Sequence, residues 1–275
     1  MEHWVLGYES SIRLSFFLGL FVIMAILEAQ FPRCQLAHKP MRSGRWVHNI
    51  SLSFLASVLT RIILPISLVS FAIDCQASGM GLFNLAFFDD TSGLLLFVIS
   101  LVLFDLIIYW QHRIFHFLPV LWRLHKVHHS DQHFDVTTGI RFHPLEILAS
   151  IAIKFAVVFI FGLSAESIIA FEVMLNGLAL FNHSNVKIPL SIDRLLRKFI
   201  VTPDMHRVHH SQIPSETDSN FGFNISLWDH LFGSYQGQPK LGHEGIEIGL
   251  REFNKGRKPL QFFKLLMMPF HSSQK

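Results

Sequence analysis

Residues 93–129 have the sequence GLLLFVISLVLFDLIIYWQHRIFHFLPVLWRLHKVHH, in which a long apolar run passes directly into a cluster of histidines. The run over residues 93–111 is long enough, as a helix, to cross about 30 Å of hydrocarbon. His112 and His116 follow at a spacing that places both imidazoles on one helical face. This stretch therefore predicts a membrane-spanning helix that ends at a histidine-rich surface.

Three further apolar stretches have the length of membrane spans. They cover residues 14–31, 50–73 and 145–182, and the last is broken near Gly162 into two halves. The whole chain of 275 residues is 51% hydrophobic and only 16% charged, which excludes a disordered chain, a disulfide scaffold and an ordinary cytosolic domain. We therefore predict an all-α integral membrane protein with four to five transmembrane helices.

The Lys and Arg residues alternate between the loops. Arg33, Lys39, Arg42 and Arg45 lie between the first two spans, whereas residues 74–92 contain no Lys or Arg. The positive-inside rule places the first of these loops in the cytoplasm, and the later loops agree with it. We therefore expect a histidine-rich helical cap on the cytoplasmic face. The same topology suits a bacterial inner membrane or an endoplasmic reticulum, and the lack of a di-lysine retrieval ending favours the bacterial inner membrane.

The formal net charge of +3 follows from this topology and does not indicate a nucleic-acid partner. No Lys- and Arg-rich run is interleaved with aromatic residues on a recognisable nucleic-acid fold, so we expect no nucleic acid to bind.

Some charged residues fall inside the spans, where they usually face the protein interior and find partners. Arg61 in the second span and Asp105 in the third are candidates for an ion pair. Arg61 has two alternatives, because its long side chain could reach the interface or mark the mouth of a substrate cavity. Lys154 and Glu172 raise the same question in the two halves of the last region.

The histidines form three clusters. The H-x-x-x-H pair is followed, after a bend predicted at Pro119, by an H-x-x-H-H motif, and a second H-x-x-H-H motif comes after the last span. The topology brings these clusters, and one further histidine at the end of the last span, to the same membrane surface. The nine residues are His112, His116, His125, His128, His129, His183, His206, His209 and His210.

Such a constellation indicates a transition-metal centre, because neutral imidazole is a common ligand of iron, zinc and copper. Nine rings exceed what one four-coordinate zinc ion needs, whereas two five- or six-coordinate irons would use eight or nine. The count therefore favours a dinuclear site with all nine histidines as metal-binding, catalytic residues. His143 is a possible tenth ligand. A set of eight ligands also remains open, if one of the nine histidines contacts a ligand and does not bind the metal itself.

Carboxylates near the clusters are expected to accept hydrogen bonds from ligating histidines and to hold their tautomers. The candidates are Asp105, Glu146, Asp204 and Asp229. The other histidines are expected to be structural or exposed. We interpret His133 and His230 as structural, and we expect exposed positions for His3, His38, His48, His243 and His271.

Two blocks of the sequence resemble the fatty acid hydroxylase and sterol desaturase superfamily of integral-membrane di-iron enzymes. The first runs from Asp105 through the histidine motifs to HPLE at 143–146, and the second runs from NHSN at 182–185 to LWDHLFG at 227–233. Spacing, order and flanking residues agree over residues 45–235. The resemblance implies O2-dependent oxidation of a lipid C–H bond at two iron ions, with electrons from a cytochrome b5-like or ferredoxin-type donor.

The resemblance leaves the substrate, the outcome of the oxidation and the oligomeric state open. Branches of the superfamily hydroxylate fatty acyl chains, oxidise sterol methyl groups, insert ring double bonds, hydroxylate carotenoids or cleave ether lipids. We divide the chain into N-terminal transmembrane helices (residues 1–92), a di-iron hydroxylase domain (93–235) and a basic C-terminal tail (236–275), which could dock an acidic electron donor or face lipid headgroups.

Two other classes of protein compete with an oxidoreductase. A membrane zinc hydrolase needs a general base beside its ligands, typically as H-E-x-x-H, but Arg113, Lys126 and Arg207 follow the histidines concerned. A non-enzymatic haem carrier needs single histidines that face each other across spans, and a metal transporter needs ligands at mid-membrane depth. Clusters at one surface favour the oxidoreductase over these alternatives.

Overall fold

The computed structural model describes residues 2–34, 39–88, 90–253 and 261–271, which fold almost entirely into helices. Within these residues, β-structure is limited to isolated bridges. The helices are α1 (Glu2–Gln30), α2 (Lys39–Ile63), α3 (Leu68–Ala77), α4 (Gly93–Phe117), α5 (Pro119–His129), α6 (Pro144–Phe161), α7 (Ala165–Asn182), α8 (Leu190–Leu196), α9 (Pro203–His209), α10 (Pro214–Thr217), α11 (Leu227–Leu231), α12 (Gly242–Gly245) and α13 (Phe262–Met267).

Five segments of the described chain are long and apolar enough to cross a membrane, which confirms the prediction of an all-α protein with membrane-spanning helices. They are Gly7–Gln30, Arg42–Asn84, Gly93–Phe117, Pro144–Phe161 and Ala165–Asn182. The second segment differs from the single span expected at 50–73, because the helix is interrupted at residues 64–67. Pro65 lacks the N–H that would continue α2, and Ser67 accepts a hydrogen bond from the Ser70 N–H to begin α3.

The predicted break near Gly162 is confirmed as the turn between α6 and α7. Gly162 has a φ of 67°, in the left-handed region that favours glycine at a helix C-terminus. A Cβ there would also lie 2.6 Å from the Met80 carbonyl oxygen. The predicted bend at Pro119 is confirmed as well, since α4 ends at Phe117 and α5 begins at the proline.

The core of the spanning region lies between α3, α4, α6 and α7. Phe104 of α4 stacks on Phe171 of α7, with ring centroids 4.7 Å apart, and Val157, Val158 and Ile168 surround this pair. These buried apolar residues hold α4 and α7 together, so the last turns of both helices arrive side by side.

Lys154 and Glu172, two charged residues inside the spans, form an ion pair. The Lys154 ammonium lies 2.6 Å from one carboxylate oxygen of Glu172, and the Arg13 guanidinium lies 3.0 Å from the other, so the three residues connect α1, α6 and α7. The predicted pair of Arg61 with Asp105 is wrong. Arg61 is exposed, and the Asp105 carboxylate accepts hydrogen bonds from groups of the chain after α7.

We use the term cap for residues 118–143 and 183–253, which lie at the ends of α4 and α7. The cap is fastened to α2 by Arg45, whose buried guanidinium contacts Asp131 at 2.6 Å and Asp135 at 2.8 Å. Beyond the cap, α13 packs its buried Leu265 beside Leu52 of α2. Much of the predicted basic tail, residues 254–260 and 272–275, lies outside the described residues.

Candidate metal centre

Four helices deliver the nine clustered histidines to one place. His112 and His116 come from the last turns of α4, and His183 follows directly after α7. The two H-x-x-H-H motifs lie at the ends of α5 and α9. All nine imidazoles are buried.

The nine rings separate into two groups whose possible ligand atoms lie within 4.8 Å of one another. The five-histidine group contains His112, His116, His125, His129 and His209, and the four-histidine group contains His128, His183, His206 and His210. Each H-x-x-H-H motif therefore serves both groups. Successive helical residues point about 100° apart, so His128 and His129 diverge toward different groups although they are neighbours in sequence.

In the five-histidine group, most rings are oriented by a hydrogen bond at Nδ1. His112 Nδ1 lies 2.8 Å from the Phe221 carbonyl oxygen, and His209 Nδ1 lies 2.7 Å from the Ser219 carbonyl oxygen. His125 Nδ1 lies 2.6 Å from the Glu146 carboxylate, and His116 Nδ1 lies 3.3 Å from Asp218. A carbonyl or carboxylate oxygen can only accept, so Nδ1 carries the proton and Nε2 is left with its lone pair.

Four Nε2 lone pairs of the five-histidine group lack a partner within the described residues. The Nε2 atoms of His112, His125, His129 and His209 are buried, and no hydrogen bond within the described residues satisfies them. A buried nitrogen without a partner costs free energy unless something else meets its lone pair. A metal ion would accept the lone pairs of imidazole nitrogens that are oriented in this way.

The four-histidine group is built differently. Among the hydrogen bonds of the described residues, His183 alone in this group is oriented by a backbone group, since its Nδ1 donates to the Ala179 carbonyl oxygen at 2.8 Å. Its Nε2 lies 3.1 Å from Nε2 of His128 and 3.0 Å from Nε2 of His206. Adjacent nitrogens on an octahedral ion with bonds of about 2.1 Å are separated by about 3.0 Å, so the spacing fits a shared ion.

Packing holds the remaining rings of the four-histidine group. Phe142 stacks on His128 with ring centroids 4.4 Å apart and planes 8° from parallel. Phe134 lies against His183 and His210 at centroid distances of 5.7 Å and 5.1 Å. Nδ1 of His128 and both ring nitrogens of His210 have no hydrogen-bond partner within the described chain.

Burial keeps these imidazoles neutral. Desolvation lowers the pKa of His125 and of His183 to about 3. It also lowers the pKa of His128, His209 and His210 well below the usual value. Neutral imidazole is the form that ligates metals, so the rings need lose no proton to bind at pH 7. The donor set of nine buried imidazoles therefore fits two transition-metal ions.

Of the four carboxylates predicted to orient ligands, Glu146 contacts a clustered histidine directly. Asp229 acts one step away, because its carboxylate accepts from the N–H groups of Phe221 and Gly222, next to the carbonyl that orients His112. Asp204 instead contacts Arg33 at 3.0 Å. Asp105 accepts from the indole of Trp228 at 2.7 Å and so binds the cap to α4.

Among the described residues, the histidines outside the nine are not brought into either group. His143 begins α6, where its Nδ1 accepts from the Leu145 N–H and its Nε2 faces the Leu266 carbonyl oxygen, so its placement does not support a role as a ligand. His243 is a correction: it was expected to be exposed, but it is buried beside Asp204, and burial lowers its pKa to about 4.

The other isolated histidines differ in their exposure. His271 is exposed, His48 is partly buried, and His230 stacks on Tyr235 with ring centroids 4.0 Å apart. The His38 residue and the His3 side chain lie outside the described part of the chain.

Sequence inspection missed the backbone groups that orient the rings. The carbonyls of Ala179, Ser219 and Phe221 carry no side-chain signal, and only the fold brings them to a histidine. Asp218 was also missed, although an acidic residue shortly after H-x-x-H-H is visible in the sequence.

Comparisons with known proteins agree with this geometry. An ornithine lipid hydroxylase of Rhizobium tropici, OlsE, is 29% identical over 176 residues, which cover 63% of this chain and 50% of that protein. The alkylglycerol monooxygenase of Homo sapiens is 29% identical over 59% of this chain and 33% of its own length. The lathosterol oxidase of Homo sapiens is 26% identical over 60% of this chain and 54% of its own length.

The chain thus spans between a third and roughly half of the length of these curated relatives. No solved structure matches it. The family model described as fatty acid hydroxylase matches residues 97–234, which is half of the chain and includes all nine clustered histidines. This protein therefore belongs to the fatty acid hydroxylase family.

Proposed function

We propose that this protein is an O2-dependent di-iron oxidoreductase that hydroxylates or desaturates a C–H bond of a membrane lipid. The observation that carries the proposal is the division of nine buried imidazoles into a group of five and a group of four. Two ions of a five- or six-coordinate metal would use these nitrogens and leave positions open for O2. All nine histidines are proposed as ligands, and His143 is left out because of its placement.

The protein's own groups prepare the site. Glu146 and the carbonyls of Phe221 and Ser219 accept hydrogen bonds from Nδ1 of three rings in the five-histidine group. Nε2 of each of these rings is thereby left free to bind a metal ion. Complete burial of the rings excludes bulk water, which would otherwise compete for the metal positions. Two irons in this cage would supply the activation of O2 that breaking a C–H bond requires.

The stoichiometry requires a reductant. Hydroxylation places one oxygen atom of O2 into the C–H bond, and two electrons with two protons reduce the other atom to water. Desaturation removes two hydrogens from the lipid and, with two more electrons and protons, reduces both oxygen atoms to water. We propose an external donor of the cytochrome b5-like or ferredoxin type, as the resemblance to the superfamily implies.

A lipid is the proposed substrate because the histidine cage lies at the ends of membrane-spanning helices. The names of the relatives contain an ornithine lipid, an alkylglycerol and lathosterol, which are all lipids. The three lipids are chemically different, so the names support a lipid as the class of substrate and do not favour one particular lipid.

The orientation and organisation of the chain belong to the same proposal. The Lys and Arg distribution supports a cap on the cytoplasmic face. We propose a bacterial inner membrane as the host membrane. We keep residues 1–92 as N-terminal spans, 93–235 as the di-iron domain and 236–275 as the tail. The family match to residues 97–234 supports the middle boundary pair.

The test is the metal content of detergent-purified protein, measured by elemental analysis for the wild type and for three variants. His128→Ala removes a nitrogen from the four-histidine group, and His209→Ala removes one from the five-histidine group. His271→Ala is the matched control, because its ring is exposed. We expect about two irons per chain in the wild type and the control, and fewer in both other variants.

A second readout addresses the substrate. Lipid extracts of cells with and without the wild-type protein are compared by mass spectrometry, and a lipid that gains one oxygen atom or loses two hydrogens is expected only with the wild type and the control. A single zinc per chain, or a metal content that neither cage substitution changes, would overturn the di-iron proposal and favour a hydrolase or a structural site.

A further inference from the structure

The segment after the last span returns to the depth of the membrane. The apolar run of α4 ends at Trp110, where Gln111 and His112 begin its polar end. Asp105 lies five residues before Trp110, which corresponds to about 8 Å along a helix toward the membrane centre. Trp228 donates its indole N–H to Asp105, so α11 lies against this deeper part of α4.

The other end of α11 lies near the edge of the apolar run. The Phe232 ring packs on Tyr109 and Trp110 with centroid distances of 5.4 Å and 5.1 Å. Residues 222–232, which we name the re-entrant segment, therefore run along α4 between the levels of Asp105 and Trp110. A segment that far inside an apolar run is inside the hydrocarbon if α4 spans the bilayer.

The backbone of this segment is prepared for an environment without water. Irregular backbone at membrane depth is tolerated only where the protein satisfies its polar groups. The hydrogen bonds that do so join Gly222 N–H to Asp229, Ile225 N–H to Asp105, Ser226 N–H to the Phe199 carbonyl, the Asn182 amide to the Phe223 carbonyl and Val201 N–H to the Asn224 carbonyl.

The outer face of the same region is apolar and uncovered in the described structure. Leu227 and Leu231 are one helical turn apart on α11 and are 52% and 64% exposed. Phe199, whose carbonyl bonds to Ser226, is 65% exposed, and Leu195 one turn before it is 57% exposed. We name these four side chains the apolar face. Exposing a contiguous apolar surface of this kind to water is unfavourable, so it indicates contact with another apolar phase or surface.

Basic and amphipathic side chains flank the apolar face. Arg194 and Lys198 are exposed on the neighbouring sides of the α8 region, where they suit anionic lipid headgroups. His230 is exposed at the shallow end of α11 and stacks on Tyr235, as polar rings do at a membrane–water boundary. An apolar face flanked by basic side chains is typical of a segment that is inserted into one leaflet of a membrane.

We propose that the apolar face, formed by Leu195, Phe199, Leu227 and Leu231, is inserted among the acyl chains of the leaflet on the cap side. The cap is then not a water-exposed domain resting above the membrane. Its re-entrant segment is a membrane element with α11 packed on α4, and lipid is the occupant of the face. The inference concerns the membrane position and stands whether or not the centre binds iron.

The test uses spin labels on full-length protein in vesicles of phosphatidylcholine and phosphatidylglycerol. The two cysteines are removed as Cys34→Ser and Cys75→Ala, and single labels are placed by Leu231→Cys or Phe199→Cys. Leu95→Cys on the exposed side of α4 is the lipid reference, and Leu241→Cys in the turn before α12 is the aqueous reference. Collision of each label with O2 and with a water-soluble nickel chelate reports its depth.

We expect the labels at Leu231 and Phe199 to behave like Leu95, with O2 collision favoured and the nickel collision seen at Leu241 lost. Nickel collision equal to that of Leu241 would overturn the proposal. Low collision with both reagents would also overturn it, because a second protein surface would then cover the face. Two labelled positions keep the test decisive if one variant fails to match the size-exclusion profile of the cysteine-free parent.

Discussion

The two histidine groups differ in how their rings are held. In the five-histidine group, His112, His125 and His209 each direct Nδ1 to a protein oxygen at 2.6–2.8 Å. In the four-histidine group, His183 is the one ring that makes such a bond within the described residues, while His128 and its neighbours are held by aromatic packing. Hydrogen bonds therefore preorganise the rings of the five-histidine group, whereas side-chain packing orients most rings of the four-histidine group.

This contrast has a chemical consequence. A hydrogen bond at Nδ1 fixes the tautomer and raises the basicity of the ligating Nε2, and loss of such a partner typically weakens metal affinity 10- to 100-fold. Rings held by packing retain freedom to change tautomer or to tilt. The five-histidine group should therefore bind its ion more tightly, and the four-histidine group should be the more adaptable one.

The largest expected effect is staged loss of metal during chelation. The ion of the four-histidine group should leave first, with affinities that differ by at least about 100-fold because several more rings of the other group are oriented. Metal content is measured across a titration with a chelator, in the wild type and in His206→Ala as a marker for the first stage. Release of both ions in one step at equal chelator concentration would contradict the comparison.

Glu146→Ala should weaken metal binding at the five-histidine group by about 10- to 100-fold, because His125 loses its Nδ1 partner. The two stages of release in the chelator titration should then move closer together or merge into one step. Glu166→Ala is the matched control, since that carboxylate is exposed at the start of α7. Unchanged release from Glu146→Ala would show that the carboxylate does not support the ligand.

Gly139→Ala should act on the other group. A Cβ at Gly139 would lie 2.7 Å from the Ala179 carbonyl oxygen, which is the one that orients His183. The carbonyl must move, and such overpacking costs about 1–3 kcal/mol. We expect a lower melting temperature and earlier release of the first ion, while the second ion is unaffected.

Gly93→Ala is the control for this substitution, because nothing lies within 4 Å of a Cβ at that position. If Gly139→Ala and Gly93→Ala melted and released metal alike, the backbone contact would have no part in holding the four-histidine group.

The smallest effect is the pH dependence of the metal-free protein, and here the two groups should behave alike. Burial lowers the pKa of His125 and of His183 to about 3, below the value of 6.5 for a free ring. The unfolded chain therefore takes up protons that the folded chain does not, so stability present above pH 6.5 is lost as the pH falls. Each ring contributes up to about 1.4 kcal/mol per pH unit.

Unfolding temperatures at pH 7.5 and 5.5 measure this slope. His125→Gln and His183→Gln should reduce it by similar amounts, whereas His271→Ala should leave it unchanged. A stability that does not depend on pH between these values would show that the metal-free cage is open to water and protons.

Much of the fold was predictable because local physics determines it. The apolar runs, the break at Gly162 and the bend at Pro119 depend on hydrocarbon thickness and on the backbone limits of glycine and proline. The interruption of α2 at residues 64–67 was missed although Pro65 is visible, because hydropathy alone treats the whole apolar stretch as one span.

The Arg61–Asp105 pair failed for a different reason. Both residues lie in apolar runs, and the rule that buried charges pair does not say with which group. Through one carboxylate oxygen, Asp105 accepts hydrogen bonds from an indole and a backbone N–H of residues 225–228, more than a hundred positions away. Sequence patterns cannot anticipate such a partner, because neither Trp228 nor a backbone amide carries a charge.

The sequence by itself determined the helical membrane class and identified the nine clustered histidines, from which a site for two ions was predicted, because helical periodicity and imidazole chemistry are local properties. Only the tertiary structure decided which ring belongs to which group. It divides each H-x-x-H-H motif, supplies the carbonyls of Ala179, Ser219 and Phe221, and excludes His143. The physical reason is that a metal cage is set by distances of a few ångströms between helices, and those distances follow from packing of the whole chain.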